Sequence, residues 1–227
     1  EDMLKILSKT NLNEKIYFNL ASPKTRSISG DYNLQIKNLY NFLITGKIID
    51  QNKNDFSGHL KKQYDNTNVI IISTYWNRSD FRIIDDLIQI LKNDNKKIIM
   101  FNHALVQTEK NNLNRLDYFV YTKKRLPEKS ELKVIEENMF LDLKNKDEIN
   151  KTIELISKKN NLFLIKRENI FCNLNEKICP SITKEGYKIY WDNSHITDQG
   201  AEFFAKSIEK DQLFLKYLNS TLHISSN

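Results

Sequence analysis

The chain has 227 residues, of which 40% are hydrophobic, and its 35 basic and 29 acidic residues give a net charge of +6. This length and composition suffice to bury one complete hydrophobic core, so we expect a single domain. No run approaches the ~18 to 20 apolar residues that span a bilayer. The opening residues, EDMLKILSKT, lack the basic and apolar regions of a secretion signal.

The positive charge is dispersed along the chain. Lysine and arginine occur in short pieces that alternate with acidic residues. This pattern is typical of a solvated surface and disfavours a nucleic-acid partner, which would require basic residues clustered on one face. A nearby anionic glycan or membrane surface is compatible with the charge.

Hydrophobic periodicity predicts helices that alternate with strands. At the start of the chain, MLKIL has helical spacing and KIYFNL alternates as a strand does, while LQIKNLYNFLITG is again helical. Residues 68 to 73, NVIIIS, contain four consecutive β-branched apolar residues. Such a run predicts a strand that is buried on both faces, as in a parallel sheet covered by helices.

The next elements continue this alternation. FRIIDDLIQILKN is predicted to be an amphipathic helix capped by Ser79 or Asp80, and KKIIMFN to be the next buried strand. We interpret residues 104 to 128 as a polar, irregular connection.

The carboxyl-terminal half contains both kinds of element. SELKVIEENMFLDL and KDEINKTIELISKK are predicted helices, NLFLIK is a predicted strand, and GAEFFAKSIEKDQLFLKYL is a single predicted terminal helix. The order predicts an α/β fold, a three-layer α/β/α sandwich with a mainly parallel sheet. In such sheets, functional sites gather at the carboxyl ends of the strands.

The chain has two cysteines, Cys172 and Cys179, in the stretch FCNLNEKICP. Their spacing fits neither a zinc knuckle nor a CxxC redox motif, and no second cysteine pair exists to complete a metal site. We therefore predict a short loop closed by a disulfide, with a pair of free thiols as the alternative. A disulfide would indicate an oxidising compartment.

An aspartate precedes a histidine by three positions in YWDNSHITDQGA, residues 190 to 201. At this spacing Asp192 can reach the near ring nitrogen of His195, which fixes the tautomer and leaves the far nitrogen to accept a proton from a serine hydroxyl. The alternative is structural, with Asp192 or Ser194 capping the last helix. The spacing alone leaves both interpretations open.

The stretch CNLNEKICPSITKEGYKIYWDNSHITDQGA resembles the carboxyl-terminal block of the SGNH (GDSL-type) hydrolase superfamily, which carries an Asp-x-x-His pair. The resemblance is closer to the periplasmic SGNH domains fused to family 3 membrane acyltransferases. There a cysteine pair precedes a stretch of the form Tyr-x-Asp-x-x-His-(Leu/Ile)-(Ser/Thr)-x-x-Gly-Ala. Those positions are occupied here by Cys172, Cys179, Tyr190, Asp192, His195, Ile196, Thr197, Gly200 and Ala201.

The middle of the chain is also similar to that family. NTNVIIISTYWN and KKIIMFN resemble its central strands, and with the terminal block the similarity extends over about half of the chain. The resemblance implies an SGNH or flavodoxin-like sandwich.

The nucleophile is where this sequence departs from the family. The family's serine lies in a Gly-Asp-Ser block between the first strand and the first helix, whereas the nearest string here, SGDYN, has Tyr32 in the serine position. EDMLKILSKT resembles the helix that follows that block. We therefore expect residues 1–227 to form one SGNH-like domain whose first strand and nucleophilic serine precede Glu1. A relative without a nucleophile is the alternative.

Other site residues are predicted on less evidence. The resemblance suggests that the side chain of Asn77 and the amide of Gly30 contribute to an oxyanion hole, although Gly30 also suits an ordinary turn. Three aromatic residues flank the expected cleft, and each either stacks on sugar rings or packs in the core: Tyr75, Trp76 and Trp191.

The remaining histidines do not indicate a metal site. His103 ends the strand KKIIMFN and is interpreted as structural, and the scattered histidines lack suitably spaced carboxylates. We expect neither a metal nor another cofactor.

The resemblance implies Ser-His-Asp acyl transfer, with His195 as general base and then acid and Asp192 orienting it. The expected acceptor is a cell-surface glycan, which receives O-acyl groups and in particular O-acetyl groups. A membrane acyltransferase module is expected to supply these groups. The expected location is the periplasm or the outer face of the bacterial inner membrane, with a tether through an N-terminal part. A carbohydrate or acyl esterase with the same triad and a non-catalytic glycan-binding or docking module are the alternatives.

Overall fold

The computed structural model describes residues 2–9, 64–73, 76, 78, 81–103, 107, 112–144 and 147–222. The helices in these ranges are α1 (Asp2–Ser8), α2 (Phe81–Asn93), α3 (Arg115–Lys123), α4 (Lys129–Lys144), α5 (Asp147–Lys159), α6 (Arg167–Phe171), α7 (Asp198–Ile208) and α8 (Gln212–Leu222). The strands are β1 (Val69–Ile72), β2 (Lys97–Phe101) and β3 (Phe163–Ile165). The predicted strand KIYFNL, the predicted helix LQIKNLYNFLITG and the predicted caps Ser79 and Asp80 lie outside the described residues.

The three strands form a parallel sheet in the order β1-β2-β3. Ile70 of β1 pairs with Ile98 of β2, and Met100 of β2 pairs with Leu164 of β3. A helical crossover is needed between successive parallel strands, and α2 follows β1 as the sequence predicts. The predicted α/β fold with a parallel sheet is confirmed.

Helices cover both faces of this sheet. Ile99 and Phe101 belong to a core formed with α1, α3, α4, α6, α7 and α8, whereas Ile98 and Met100 belong to a second core formed with α2 and α5. Because side chains alternate across a strand, these two cores lie on opposite faces. The sheet is thus the middle of three layers.

Strand β1 is less buried than its sequence predicts. Its four residues alternate between the two cores, but each one is partly exposed. In the part of the chain that the structure describes, β2 pairs with β1 and no strand adjoins the other edge. The predicted strand is therefore confirmed, but the prediction that it is completely buried is wrong.

Two predicted boundaries are wrong. Residues 104 to 128 are not wholly irregular, because they contain α3, whose first turn is capped by the side chain of Asn114. The predicted terminal helix is in fact two helices, α7 and α8. Asp211 lies between them, and its Oδ1 accepts the amides of Leu213 and Phe214 at 3.1 and 3.0 Å, which caps the second helix.

The predicted disulfide is present between Cys172 and Cys179. Cys179 is completely buried, and its amide donates to the carbonyl of Glu136 in α4 at 3.1 Å. The disulfide closes an exposed loop, and the amide of Cys179 attaches that loop to α4. No helix within the described residues is both long enough and apolar enough to cross a bilayer.

Candidate active site

Asp192 and His195 lie at the tip of a short loop that leads into α7. An antiparallel bridge between Tyr190 and Ile196 closes the loop, and the amide of Trp191 donates to the carbonyl of His195 at 2.8 Å. The backbone therefore reverses direction within these residues and brings the carboxylate beside the ring.

Asp192 holds His195 through both carboxylate oxygens. Oδ2 lies 2.8 Å from ring Nδ1, while Oδ1 accepts the backbone amides of Ser194 and His195, each at 2.8 Å. Burial raises the pKa of Asp192, but hydrogen bonds from the Ser194 amide and from the ring and amide of His195 outweigh it, so the net pKa is lowered. The ionised form is therefore the one that the loop favours.

This contact assigns different roles to the two ring nitrogens of His195. An ionised carboxylate can only accept a hydrogen bond, so Nδ1 carries the proton in the neutral ring and Nε2 is its basic nitrogen. The side chain of His195 is 53% exposed and that of Asp192 is 27% exposed. The ring is thus oriented by a partly sheltered carboxylate while it remains accessible to a substrate.

Ser194 is not placed to serve as the nucleophile of this base. Its Oγ lies 3.3 Å from Nδ1 of His195 and 3.4 Å from Oδ1 of Asp192. Since Nδ1 already donates to Asp192, a nucleophilic hydroxyl has to approach the other ring nitrogen.

The cap of α7 is Thr197, so the structural interpretation of Asp192 and Ser194 as helix caps is wrong. Oγ1 of Thr197 accepts the amide of Gly200 at 2.9 Å and donates to the carbonyl of Lys188 at 2.7 Å. The carboxylate of Asp192 is instead engaged within the loop.

Helix α1 adjoins this loop. Nζ of Lys5 donates to the carbonyl of Ile196 at 3.2 Å and forms an ion pair with Asp198 at 3.5 Å. Ile6 and Leu7 are buried in the core to which α7 contributes. Helix α1 and the residue that follows His195 are therefore in direct contact.

A buried polar cluster, which the sequence analysis missed, ties together the carboxyl ends of the three strands. Arg167 is 3% exposed and lies just after β3. Its guanidinium donates to Oγ of Ser73 at 2.7 Å and to the carbonyl of Asn102, and these residues follow β1 and β2. Polar residues directly after buried strands were the available signal.

The other predicted site residues have different placements. Gly30, Tyr75 and Asn77 lie outside the described residues. Trp76 is 2% exposed and its Nε1 donates to the carbonyl of Phe101 at 2.8 Å, so its ring packs in the core and offers no face to a sugar. Trp191 is 72% exposed beside Asp192, and its stacking role stays a prediction.

His103 is buried at the end of β2, where its amide donates to Oδ1 of Asn150 at 3.0 Å. Among the described residues, no group of histidine, cysteine and acidic side chains is arranged to hold a metal ion.

The chain belongs to the family of SGNH domains fused to AT3 domains, whose model matches residues 36–210. This confirms the resemblance seen in the sequence, and the matched range includes the Asp192–His195 loop. Membership supports acyl-transfer or esterase-type chemistry and implies partnership with a membrane acyltransferase module.

A solved structure that the chain matches is the periplasmic domain of a lipopolysaccharide acetyltransferase from Salmonella ser. Paratyphi A. The two are 14% identical with a TM-score of 0.41, over 75% of this chain and 67% of that chain. A comparison with curated proteins finds no match.

Proposed function

We propose that this domain transfers an acyl group, in particular an acetyl group, to a hydroxyl of a cell-surface glycan through Ser-His-Asp chemistry. The observation that carries the proposal is the contact of 2.8 Å between Oδ2 of Asp192 and Nδ1 of His195. In a chain of this family, a carboxylate on Nδ1 and an accessible ring suit a general base. Asp192 orients the ring and stabilises the imidazolium that forms during the reaction.

The proposed reaction has two halves. First, Nε2 of His195 takes the proton of a serine hydroxyl while the serine oxygen attacks the carbonyl carbon of the acyl donor, and the imidazolium then protonates the leaving group. In the second half, His195 takes the proton of a sugar hydroxyl as the sugar oxygen attacks the acyl-serine. The released serine oxygen recovers a proton from the imidazolium, so the enzyme returns to its starting state.

We place the nucleophilic serine in polypeptide that precedes Glu1. The contact of α1 with the residue after His195, through Lys5, supports this placement. A turn that leads directly into α1 would lie close to the His195 loop, at the carboxyl edge of the sheet.

The proposed location is the periplasm or the outer face of the bacterial inner membrane. The disulfide between Cys172 and Cys179 suits an oxidising compartment. The family is defined by fusion to AT3 domains, which makes a membrane acyltransferase module the proposed source of the acyl group.

An esterase is the second candidate function. It would use the same residues, with water in place of the sugar hydroxyl. The 53% exposure of the His195 side chain supports this candidate, because it lets water reach the ring.

The deciding experiment uses protein that includes the residues before Glu1. A fluorophosphonate probe followed by peptide mapping should label one serine ahead of α1, and His195→Ala should suppress the labelling. Protein that has not been treated with the probe is then incubated with an activated acetyl ester, with and without an acceptor glycan. The products distinguish transfer to the glycan from hydrolysis. No labelled serine and no turnover of the ester would reject both enzymatic functions and leave a glycan-binding module.

A further inference from the structure

The tip of the Asp192–His195 loop is fastened to a segment outside the Asp-x-x-His motif. Asn193, between the two motif residues, uses both of its backbone polar groups there. Its amide donates to the carbonyl of Asn112 at 3.1 Å, and its carbonyl accepts the amide of Gln107 at 2.8 Å. The backbone between the carboxylate and the ring is thus held from the side of α3.

Asn114 fastens a second point of the same loop. Its side chain is buried, with 2% exposure, and its Nδ2 donates to the carbonyl of Tyr190 at 3.1 Å. Its Oδ1 accepts the amide of Asp117 at 2.8 Å, which caps α3. One side chain therefore serves two purposes: the oxygen caps the helix and the nitrogen holds the loop.

The far side of Asn114 is also fixed. Its Nδ2 lies 2.7 Å from Oδ2 of Asp117, and that same oxygen accepts Nζ of Lys188 at 2.8 Å. Lys188 lies two residues before Tyr190, so the entry to the loop is tied to the start of α3 as well.

Gln107 links this contact to the helical layer. It is 1% exposed, and its Oε1 accepts the amide of Arg115 at 2.8 Å. The guanidinium of Arg115 makes a two-point ion pair with Asp142 of α4, at 2.7 and 2.9 Å. Nε2 of Gln107 is buried and has no hydrogen-bond partner in the described part of the chain.

We infer that Asn114, supported by Gln107, is a positioning residue for the Asp192–His195 pair. It acts through the loop backbone and touches no reacting atom. Tyr190 marks the entry of the loop and Asn193 its tip, so loss of either attachment allows the tip to tilt and the contact between Oδ2 and Nδ1 to lengthen. The catalytic consequence rests on the proposed function, whereas the effect on the ring does not.

The cleanest variant is Asn114→Ser. Serine is as good a helix cap as asparagine, but its hydroxyl is too short to reproduce the amide contact with Tyr190. Asp211→Ala is the matched control, because it removes the cap of α8 without touching the loop.

The readouts are the tautomer of neutral His195, followed by ¹⁵N NMR at alkaline pH, and the separate values of kcat and KM. In Asn114→Ser we expect a larger Nε2–H population, because the hydrogen bond that selects Nδ1–H is weakened. We expect kcat to fall by up to ~10²-fold, the cost of a small misplacement, with KM unchanged. Asp211→Ala should leave the tautomer and kcat as in the wild type.

A wild-type tautomer population in Asn114→Ser would overturn the inference, and so would a loss of kcat no larger than in Asp211→Ala. If Asn114→Ser does not fold, Gln107→Leu replaces it and should shift the tautomer in the same direction. If the wild-type protein turns over no acyl ester while the variant still shifts the tautomer, the proposed function fails and the positioning role stands.

Discussion

Gly200 packs directly onto the backbone of Ile189. A Cβ on Gly200 would overlap the carbonyl of Ile189, which cannot yield as a flexible side chain would. The same carbonyl accepts the amide of Thr197 at 2.9 Å. The first turn of α7 therefore lies against the residue that precedes the His195 loop, and Gly200 allows this close approach.

Gly200→Ala should destabilise the protein although alanine is the better helix former by ~1 kcal/mol. The added methyl group has to displace α7 from Ile189, and overpacking of this kind costs about 1–3 kcal/mol. Urea unfolding measures the change, with the exposed neighbour Gln199→Ala as control. A variant more stable than the wild type would show that the helix is free to move.

His195→Ala should reduce turnover by ~10³- to 10⁶-fold. Asp192→Asn should reduce it by up to ~10⁴-fold, because the amide no longer selects the Nδ1–H tautomer. Both side chains are partly exposed, so we expect the fold to persist. Steady-state kinetics on an acyl ester, together with circular dichroism, tests the pair. Turnover near the wild-type level in either variant would remove that residue from the mechanism.

The sequence predicts most reliably the elements whose hydrophobic pattern is strong and continuous. Strand β2 is nearly all apolar and α2 is strongly amphipathic, and both are found as predicted. Helix α3 was missed because it has only nine residues, and its apolar residues include the consecutive run from Tyr118 to Tyr121, which masks a helical period. Its start is set by Asn114, whose role as a cap depends on the surrounding structure.

The candidate site, like the fold, could be predicted only in part from the sequence. The spacing of Asp192 and His195 is local, so their contact can be anticipated from the sequence. The contact of Asn114 with Tyr190 joins residues 76 positions apart, and that of Arg167 with Ser73 joins residues 94 positions apart. The polar residues that follow the strands are visible in the sequence, but tertiary packing decides which of them contact each other.

Replacing both Cys172 and Cys179 by serine should lower the free energy of unfolding by about 2 to 3 kcal/mol, the loop-entropy expectation for so short a closed loop. The thermal midpoint of the wild-type protein should fall in a strong thiol reductant, whereas that of the double variant should not change. Equal midpoints for the oxidised wild type and the double variant would show that packing of Cys179, which is fully buried, fixes this loop without the disulfide.

The carboxylate of Asp192 should make stability depend on acidic pH. Its pKa is lowered in the folded protein from the ordinary value of 3.8, so the folded state favours the ionised form. This contribution is complete above the unfolded pKa and is lost as the pH falls through the lower, folded pKa. Below about pH 4, the free energy of unfolding of the wild type should therefore fall relative to that of Asp192→Asn. Urea unfolding from pH 7 to pH 2 measures it, with Glu176→Gln as the control because that residue is exposed in the loop that the disulfide closes. A difference that stays constant over this range, or that grows as the pH falls, would contradict a carboxylate that the folded loop holds in its ionised form.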